Sequence, residues 1–262
     1  MNHLGTKVLE TERLILRPFA LSDAQTMFRN WASDPEVTKY LLWKPHPDIA
    51  ETERVLGEWV PQYEKPNYYQ WAIVLKSLGE PIGSLGAFQL REDVGRIEVG
   101  YCIGRKFWGR GYTAEALSEV IRFFFEEVGL NRVEATHDAA NPNSGKVMRK
   151  CGLRYEGTKR KGGGNNTGIC DMCFWGILAE DYFCCQSCGV PHEAHEDLFY
   201  TGPDGKPSRY CTYCWENGAF TAPDATLEET VELGVPHLAH KVGEEAAREE
   251  LRALLPTLER WR

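Results

Sequence analysis

RIEVGYCIGRKFWGRGYTAEALS, the stretch from Arg96 to Ser118, decides how this chain is read. Its first eight residues alternate between polar and apolar, the period of a half-buried strand. A turn follows, Gly104 to Gly111, carrying Lys106, Arg110 and glycines at 109 and 111. From about Thr113 the period becomes that of a helix. Strand, glycine turn and helix in this order aim the unpaired first N–H groups of the helix, and the positive end of its dipole, into the turn. Gly109 and Gly111 let the backbone close on an anion, and Lys106 and Arg110 add countercharge. An ordinary strand-to-helix connection is the competing explanation, and the surrounding chain decides against it.

Working outward, the spacing predicts a strand at Arg13–Arg17, a helix from Ser22 or Asp23 to about Trp31, and a second helix from Asp48 to about Val60. Gln70–Leu75 and Ile82–Gln89 read as a hairpin that leads into the strand Arg96–Ile103. After the turn, Ala116, Leu117, Val120, Ile121, Phe124, Phe125 and Val128 form one apolar helical face, which Gly129 ends. Arg132–Asp138 is the next strand, and Asn141 opens a short helix ending near Cys151. A strand begins at Leu153–Gly157, Lys159–Gly168 reads as a polar, mobile loop, and Cys170–Leu178 is the last strand.

This order, with Glu12-Arg13-Leu14-Ile15-Leu16-Arg17-Pro18, Asp34-Pro35-Glu36-Val37-Thr38, Glu98-Val99-Gly100-Tyr101, Trp108-Gly109-Arg110-Gly111-Tyr112-Thr113, Asn141-Pro142-Asn143-Ser144 and Cys151-Gly152-Leu153, resembles the GNAT superfamily of acyl-CoA-dependent N-acetyltransferases. Within it the chain is similar to the RimJ/RimL type. The resemblance implies an α+β fold, a mixed and mostly antiparallel sheet flanked by helices, over residues 1–182. It also implies transfer of the acetyl group of acetyl-CoA to a primary amine by direct attack in a ternary complex. The pyrophosphate of acetyl-CoA would sit on Gly109, Arg110, Gly111, Tyr112 and Thr113, with Lys106 where the family has Gln or Arg. The pantetheine arm would pair with the edge at Tyr101, Cys102 and Ile103, where two strands splay apart and a bulge would present an N–H to the acetyl oxygen. Asn141 would contact the same arm.

An amine must lose a proton to attack, since amines are mostly protonated near pH 7. Glu98 is the candidate base, directly or through a water; its competing role is a polar residue on a half-buried strand. Ser144 is the candidate acid toward the departing thiolate, its competing role a helix N-cap. His137, Cys170 and Cys173 read as packing residues. Trp31, Tyr40, Trp43, Tyr68 and Tyr69 fall in segments that cover the family's acceptor cleft, with core packing the default for each. The segments Lys39–Asp48, Lys65–Gln70 and Lys159–Gly168 would select the acceptor, a protein N-terminal α-amine or a small-molecule amine.

The net charge of -8 is uneven: residues 1–182 carry 23 Lys and Arg against 24 Asp and Glu, residues 183–262 carry 7 against 14. An acidic C-terminal part argues against a nucleic-acid partner. The chain has no apolar run of membrane-spanning length and no apolar leader, so the expectation is a cytoplasmic protein without a membrane partner. Cys185-Gln-Ser-Cys188 and Cys211-Thr-Tyr-Cys214 are two C-x-x-C pairs 22 residues apart. Four thiolates in two knuckles make a closed tetrahedral zinc site, hence structural Zn2+ in residues 183–262. Cys184, His192 and His195 are the substitutes. Leu198–Thr201 and Ser208–Tyr210 read as a hairpin around Gly202–Gly205. This part resembles a zinc-ribbon family, with a helical, acidic tail from about Leu227 to Trp261 that Pro236 and Pro256 interrupt. Leu233, Val235, Leu238 and Val242 make an apolar stripe. The second reading of the whole chain is a catalytically weak acetyl-CoA-binding module whose ribbon recruits a protein partner. The resemblance allows a homodimer.

Overall fold

The computed structural model describes residues 1–191, 199 and 208–261. The chain divides into two compact units, Met1–Ile177 and Leu178–Arg262. In the first, β1 (Leu9–Glu10), β2 (Leu14–Arg17), β3 (Tyr69–Leu75), β4 (Glu80–Arg91), β5 (Arg96–Ile103), β6 (Arg132–Asp138), β7 (Arg154–Asn165) and β8 (Gly168–Leu178) form one sheet in the order β1-β2-β3-β4-β5-β6-β8-β7. From β1 to β5 neighbours are antiparallel, and β5 pairs parallel with β6.

Both faces of the sheet centre are covered, so β3 is apolar almost throughout. On one face Tyr69 and Trp71 meet Phe123 and Phe124, with ring centroids 5.1 to 6.1 Å apart. Those phenylalanines belong to α4 (Tyr112–Phe123) and its continuation Phe124–Val128, a wider helical turn that Gly129 ends at φ 76°. The helix therefore starts one residue before the expected Thr113. The other face carries a cluster containing Phe19, Met27, Trp31, Leu56, Ala72 and Val74, against which Cys102 packs. It is built from α1 (Ala24–Met27), the wide turn Phe28–Ala32, α2 (Pro35–Thr38) and α3 (Ile49–Trp59). Asp48 caps α3 by accepting from the Glu51 N–H.

One sequence expectation changes here. Lys159–Gly168 is no mobile loop: β7 runs through it to Asn165 and pairs with β8, with a register break between Lys159 and Gly163. The glycines hid a strand whose order comes from its partner. A second expectation holds: Trp31 and Tyr69, read by default as packing residues, are fully enclosed in the two cores.

In the second unit, α6 (Ala179–Tyr182) precedes the cysteine pairs, and β9 (Trp215–Glu216) pairs with β10 (Ala219–Phe220). Asn217 and Gly218, at φ 50° and 83°, form the two-residue turn between them. α7 (Leu227–Val242) and α8 (Glu244–Leu254) enclose Val231, Val235, Ala247, Leu251 and Leu255. Thr226 and Glu229 cap α7 reciprocally. Pro236 does not interrupt α7; one backbone bond is lost and the buried face continues past it. Leu233 and Val242 of the expected stripe face solvent. Ser208–Tyr210 forms no strand, while His192, His195, Gly202–Gly205 and the Leu198–Thr201 segment except Phe199 lie outside the described residues. No described helix is long and apolar enough to cross a membrane.

Candidate functional site

The parallel ladder between β5 and β6 is short. It pairs Arg96 with Arg132, Ile97 with Val133 and Glu98 with Glu134, and stops. Past Glu98 the two strands diverge, so the β6-side edge of β5 from Gly100 to Ile103 is open. The register of β5 against β4 stays regular from Glu98 to Ile103; the irregularity lies in β4 after Phe88, where Gln89 takes φ 53°. The bulge expected at Tyr101–Ile103 is therefore absent from β5. Strand divergence alone leaves backbone groups unpaired there.

Alternation along β5 sorts its side chains to two faces. Glu98, Gly100 and Cys102 lie on the α1–α3 face, where Cys102 meets the Trp31 cluster and Ser84 Oγ at 3.3 Å. Tyr101 points to the opposite face and reaches α5 (Pro142–Lys150). Its hydroxyl stands 3.0 Å from the Ser144 carbonyl and 3.1 Å from Ser144 Oγ. Ser144 is thus inside the first turn of α5 and is not its N-cap. Asn141 occupies the cap position, yet its side chain makes no capping bond and no other hydrogen bond among the described residues. Ile103 is buried, and its carbonyl accepts from the Trp108 indole N–H at 2.8 Å.

Glu98 accepts a hydrogen bond from Thr136 Oγ1 of β6 at 3.0 Å. Burial pushes its pKa above the usual carboxylate value, and the neighbouring Glu134 adds to that, while the Thr136 bond opposes it. A carboxyl tuned upward at a strand divergence suits proton acceptance. Burial also keeps the Tyr101 hydroxyl protonated well above the ordinary tyrosine range.

At the turn, Gly109 and Gly111 take φ 72° and 81°, a conformation that favours glycine. The N–H groups of Gly109, Arg110, Gly111, Tyr112, Thr113 and Ala114 find no acceptor among the described residues; the first bond of the turn into α4 is Glu115 N–H to the Gly111 carbonyl, 3.0 Å. Lys106 and Arg110 are exposed and have no ion pair among the described residues, whereas Arg105 pairs with Asp34 at 3.1 Å. This is a row of donors backed by two free cations.

Arg13 was not among the site residues the sequence suggested. Its guanidinium bonds Glu115 at 2.6 Å and the Arg110 carbonyl at 3.0 Å, and lies over the Tyr112 ring at 4.5 Å. Glu115 is partly buried, but bonds from Thr11, the Arg13 N–H and the Arg13 guanidinium hold its pKa below the usual value. The opening Glu12-Arg13-Leu14 signature was the available signal. His137 bonds the Asp138 carbonyl through Nδ1 and packs against Gly145 and Trp175, so it is a packing residue near Ser144. An open pocket of about 330 Å³, lined by Trp43, His46, Glu51, Arg54 and Trp59 among others, contains no residue of β5 or β6.

The family model described as "Acetyltransferase (GNAT) domain" matches residues 13–154. The chain belongs to the GNAT acetyltransferase family. GNAT membership makes it an acetyl-CoA-dependent N-acetyltransferase. It is 31% identical to "Uncharacterized N-acetyltransferase p20" of Bacillus licheniformis over 67% of this chain and 98% of that protein. It is 27% identical to "Putative ribosomal N-acetyltransferase YdaF" of Bacillus subtilis over 55% of this chain and 79% of the relative. The crystal structure of a GNAT-family acetyltransferase from Bacillus anthracis shares the fold, with a TM-score of 0.60, 24% identity, and coverage of 66% of this chain and 99% of that one.

A second model, "Putative zinc ribbon domain", matches residues 184–262. Ligand atoms of Cys185, Cys188, Cys211 and Cys214 all lie within 4.8 Å of one another, and Sγ of Cys188 and Cys211 are 3.7 Å apart. Tetrahedral zinc with bonds near 2.3 Å spaces its sulfurs about 3.8 Å apart, so the four cysteines fit zinc. The Cys211 N–H donates to Cys185 Sγ at 3.3 Å, a bond that favours the thiolate form. Cys184 is turned away to the Asp181 carbonyl, and Cys170 and Cys173 join no cluster among the described residues. Four thiolates fill a tetrahedron, so the zinc is structural.

Proposed function

We propose that this GNAT enzyme acetylates a primary amine, a protein N-terminal α-amine or a small-molecule amine, by direct attack on acetyl-CoA in a ternary complex. The observation that carries the reading is the end of the β5–β6 ladder at Glu98. It opens a strand edge beside the donor-rich turn and leaves Glu98 and Ser144 on opposite faces of that opening. In this reading the pyrophosphate lies on the N–H groups of Gly109–Thr113 with Lys106 and Arg110 as countercharge. The pantetheine arm runs along Tyr101, Cys102 and Ile103 and meets the unused Asn141 amide. The acceptor amine arrives from the α1–α3 face and yields a proton to Glu98, directly or through a water. Its nitrogen attacks the acetyl carbon, the C–S bond breaks, and Ser144 gives its proton to the departing thiolate while taking up the one the nitrogen sheds on becoming an amide. The domain division that goes with this is residues 1–182 for transfer and 183–262 for the ribbon, whose partner would be a protein.

The similarity to a relative named for ribosomal acetylation supports a protein acceptor. The test is a product screen by mass spectrometry with acetyl-CoA and a panel of N-terminal peptides, polyamines, amino acids and aminoglycosides. Acetylation confined to one class identifies the acceptor. No product while acetyl-CoA remains bound overturns the reading.

A further inference from the structure

Two glycines face each other beside the candidate base. Gly86 of β4 and Gly100 of β5 are register partners, and in the next pair along this face Phe88 stands opposite Glu98. All four lie on the α1–α3 face, the face of Ser84 and Cys102. Gln70 of β3 is the register partner of Gly86, so Gln70, Gly86 and Gly100 form one row across three strands. The row has a single side chain.

Neighbouring side chains use the space that Cβ atoms would take there. A Cβ on Gly86 would collide with Gln70 Oε1 and come within 3.2 Å of its Cδ. A Cβ on Gly100 would lie 3.1 Å from Phe88 Cε1. The glycines thus form a trough in which the Gln70 amide lies across β4 and the Phe88 ring lies across β5. The Gln70 side chain has no hydrogen-bond partner among the described residues; only its backbone is bonded, to Thr6 Oγ1 and Tyr63 Oη. Phe88 is 44% exposed although it sits on the sheet. A free amide, an exposed ring and an upward-shifted carboxyl therefore share one floor.

We infer that Gln70 and Phe88 select the acceptor, and that the acceptor is an amine with an amide one carbon away and an apolar group beside it: the N-terminal residue of a peptide. This rests on the proposed acetyl transfer with Glu98 as base. The chemistry matches group for group. A carboxamide offers one acceptor and two donors, the complement of a peptide C=O and N–H. The ring offers an apolar wall for the first side chain. A polyamine has no carbonyl for the Gln70 donor. A site built around such a hydrogen bond discriminates against analogues that lack the group.

The experiment compares kcat/KM of the full-length protein, its Gln70→Met and its Phe88→Ala variants for alaninamide, propylamine, phenylalaninamide, glycinamide and spermidine, with acetyl-CoA binding measured separately. Amide-bearing amines are less basic than alkylamines, so the free-amine fractions differ. That factor is common to all three proteins and cancels when ratios are compared between them. In Gln70→Met the alaninamide-to-propylamine ratio should fall about tenfold, the scale of one hydrogen bond. In Phe88→Ala the phenylalaninamide-to-glycinamide ratio should fall by a similar factor. An active wild type with both ratios unchanged in the variants, or with spermidine preferred, overturns the inference and leaves the acetyl transfer intact. No acetylation of any amine overturns both.

Discussion

The Tyr101 hydroxyl bridges the carbonyl and the hydroxyl of Ser144, at 3.0 and 3.1 Å, across 43 residues of sequence. It joins the open edge of β5 to the first turn of α5. A tyrosine held protonated by burial donates to the carbonyl and leaves its oxygen as the only partner of the serine hydrogen among the described contacts. Tyr101 therefore holds the rotamer of Ser144. Ser144→Ala should lower kcat by about 10²-fold, the usual scale of general acid catalysis, with little change in acetyl-CoA affinity. Tyr101→Phe should lower kcat less and have no further effect in the Ser144→Ala background. Turnover and binding measured in the single and double variants check this. Unchanged turnover in Ser144→Ala removes the serine from the mechanism.

Glu98 predicts a pH dependence. A base acts only when ionised, so transfer falls as pH drops through its pKa. Burial raises that pKa, which places the acidic limb above that of an ordinary glutamate, near 4.3. The Thr136 bond favours the ionised form, so Thr136→Val should move the limb to higher pH. Glu98→Gln should abolish it and lower the plateau. Profiles of kcat/KM with one acceptor compare the three proteins, since the titration of the acceptor is common to all. A Glu98→Gln profile that matches the wild type assigns the proton to another acceptor.

The strand, turn and helix around residues 96–118 were legible because each is punctuated locally: alternation ends at Ile103, and glycines at 109 and 111 leave only one easy backbone path. The faces of β5 were legible from the same alternation. What was not legible depends on distant partners. Arg13 and Glu115 are 102 residues apart, and neither reveals the other by spacing. β7 is glycine- and charge-rich, and only β8 makes it a strand. Asn217-Gly218 between Trp215-Glu216 and Ala219-Phe220 is a local hairpin signal, and it forms the turn between β9 and β10. Pro236 suggests a break because its cost is local, while the gain from Val231 and Val235 comes from α8.

Arg13, just before β2, ties the turn to α4. Its guanidinium makes three contacts at once, to Glu115, the Arg110 carbonyl and the Tyr112 ring. Arg13→Ala should raise the dissociation constant for acetyl-CoA about tenfold, because the turn loses the contact that orients it, with a smaller effect on kcat. Arg13→Lys should not restore binding, since an ammonium cannot reproduce the planar fork. Calorimetry with acetyl-CoA checks both variants. Full rescue by lysine would mean that charge alone is needed there.

Zinc should be structural in a way that measurement can separate from catalysis. With all four positions of the tetrahedron taken by Cys185, Cys188, Cys211 and Cys214, no water or substrate can bind the ion, and its contribution is to folding. The purified chain should contain one zinc per molecule, and Cys211→Ser should lose most of it, since Cys211 is buried and approaches Cys188 at 3.7 Å. A chelator should make the second unit sensitive to protease, α7 and α8 included, because Cys184 beside the ligand Cys185 belongs to their apolar cluster and Gly189 packs against Leu254. Acetyl transfer at saturating acetyl-CoA should survive the loss. Transfer that falls in proportion to zinc content, while residues 1–177 stay protease-resistant, would give the metal a part in the reaction that four thiolates do not allow.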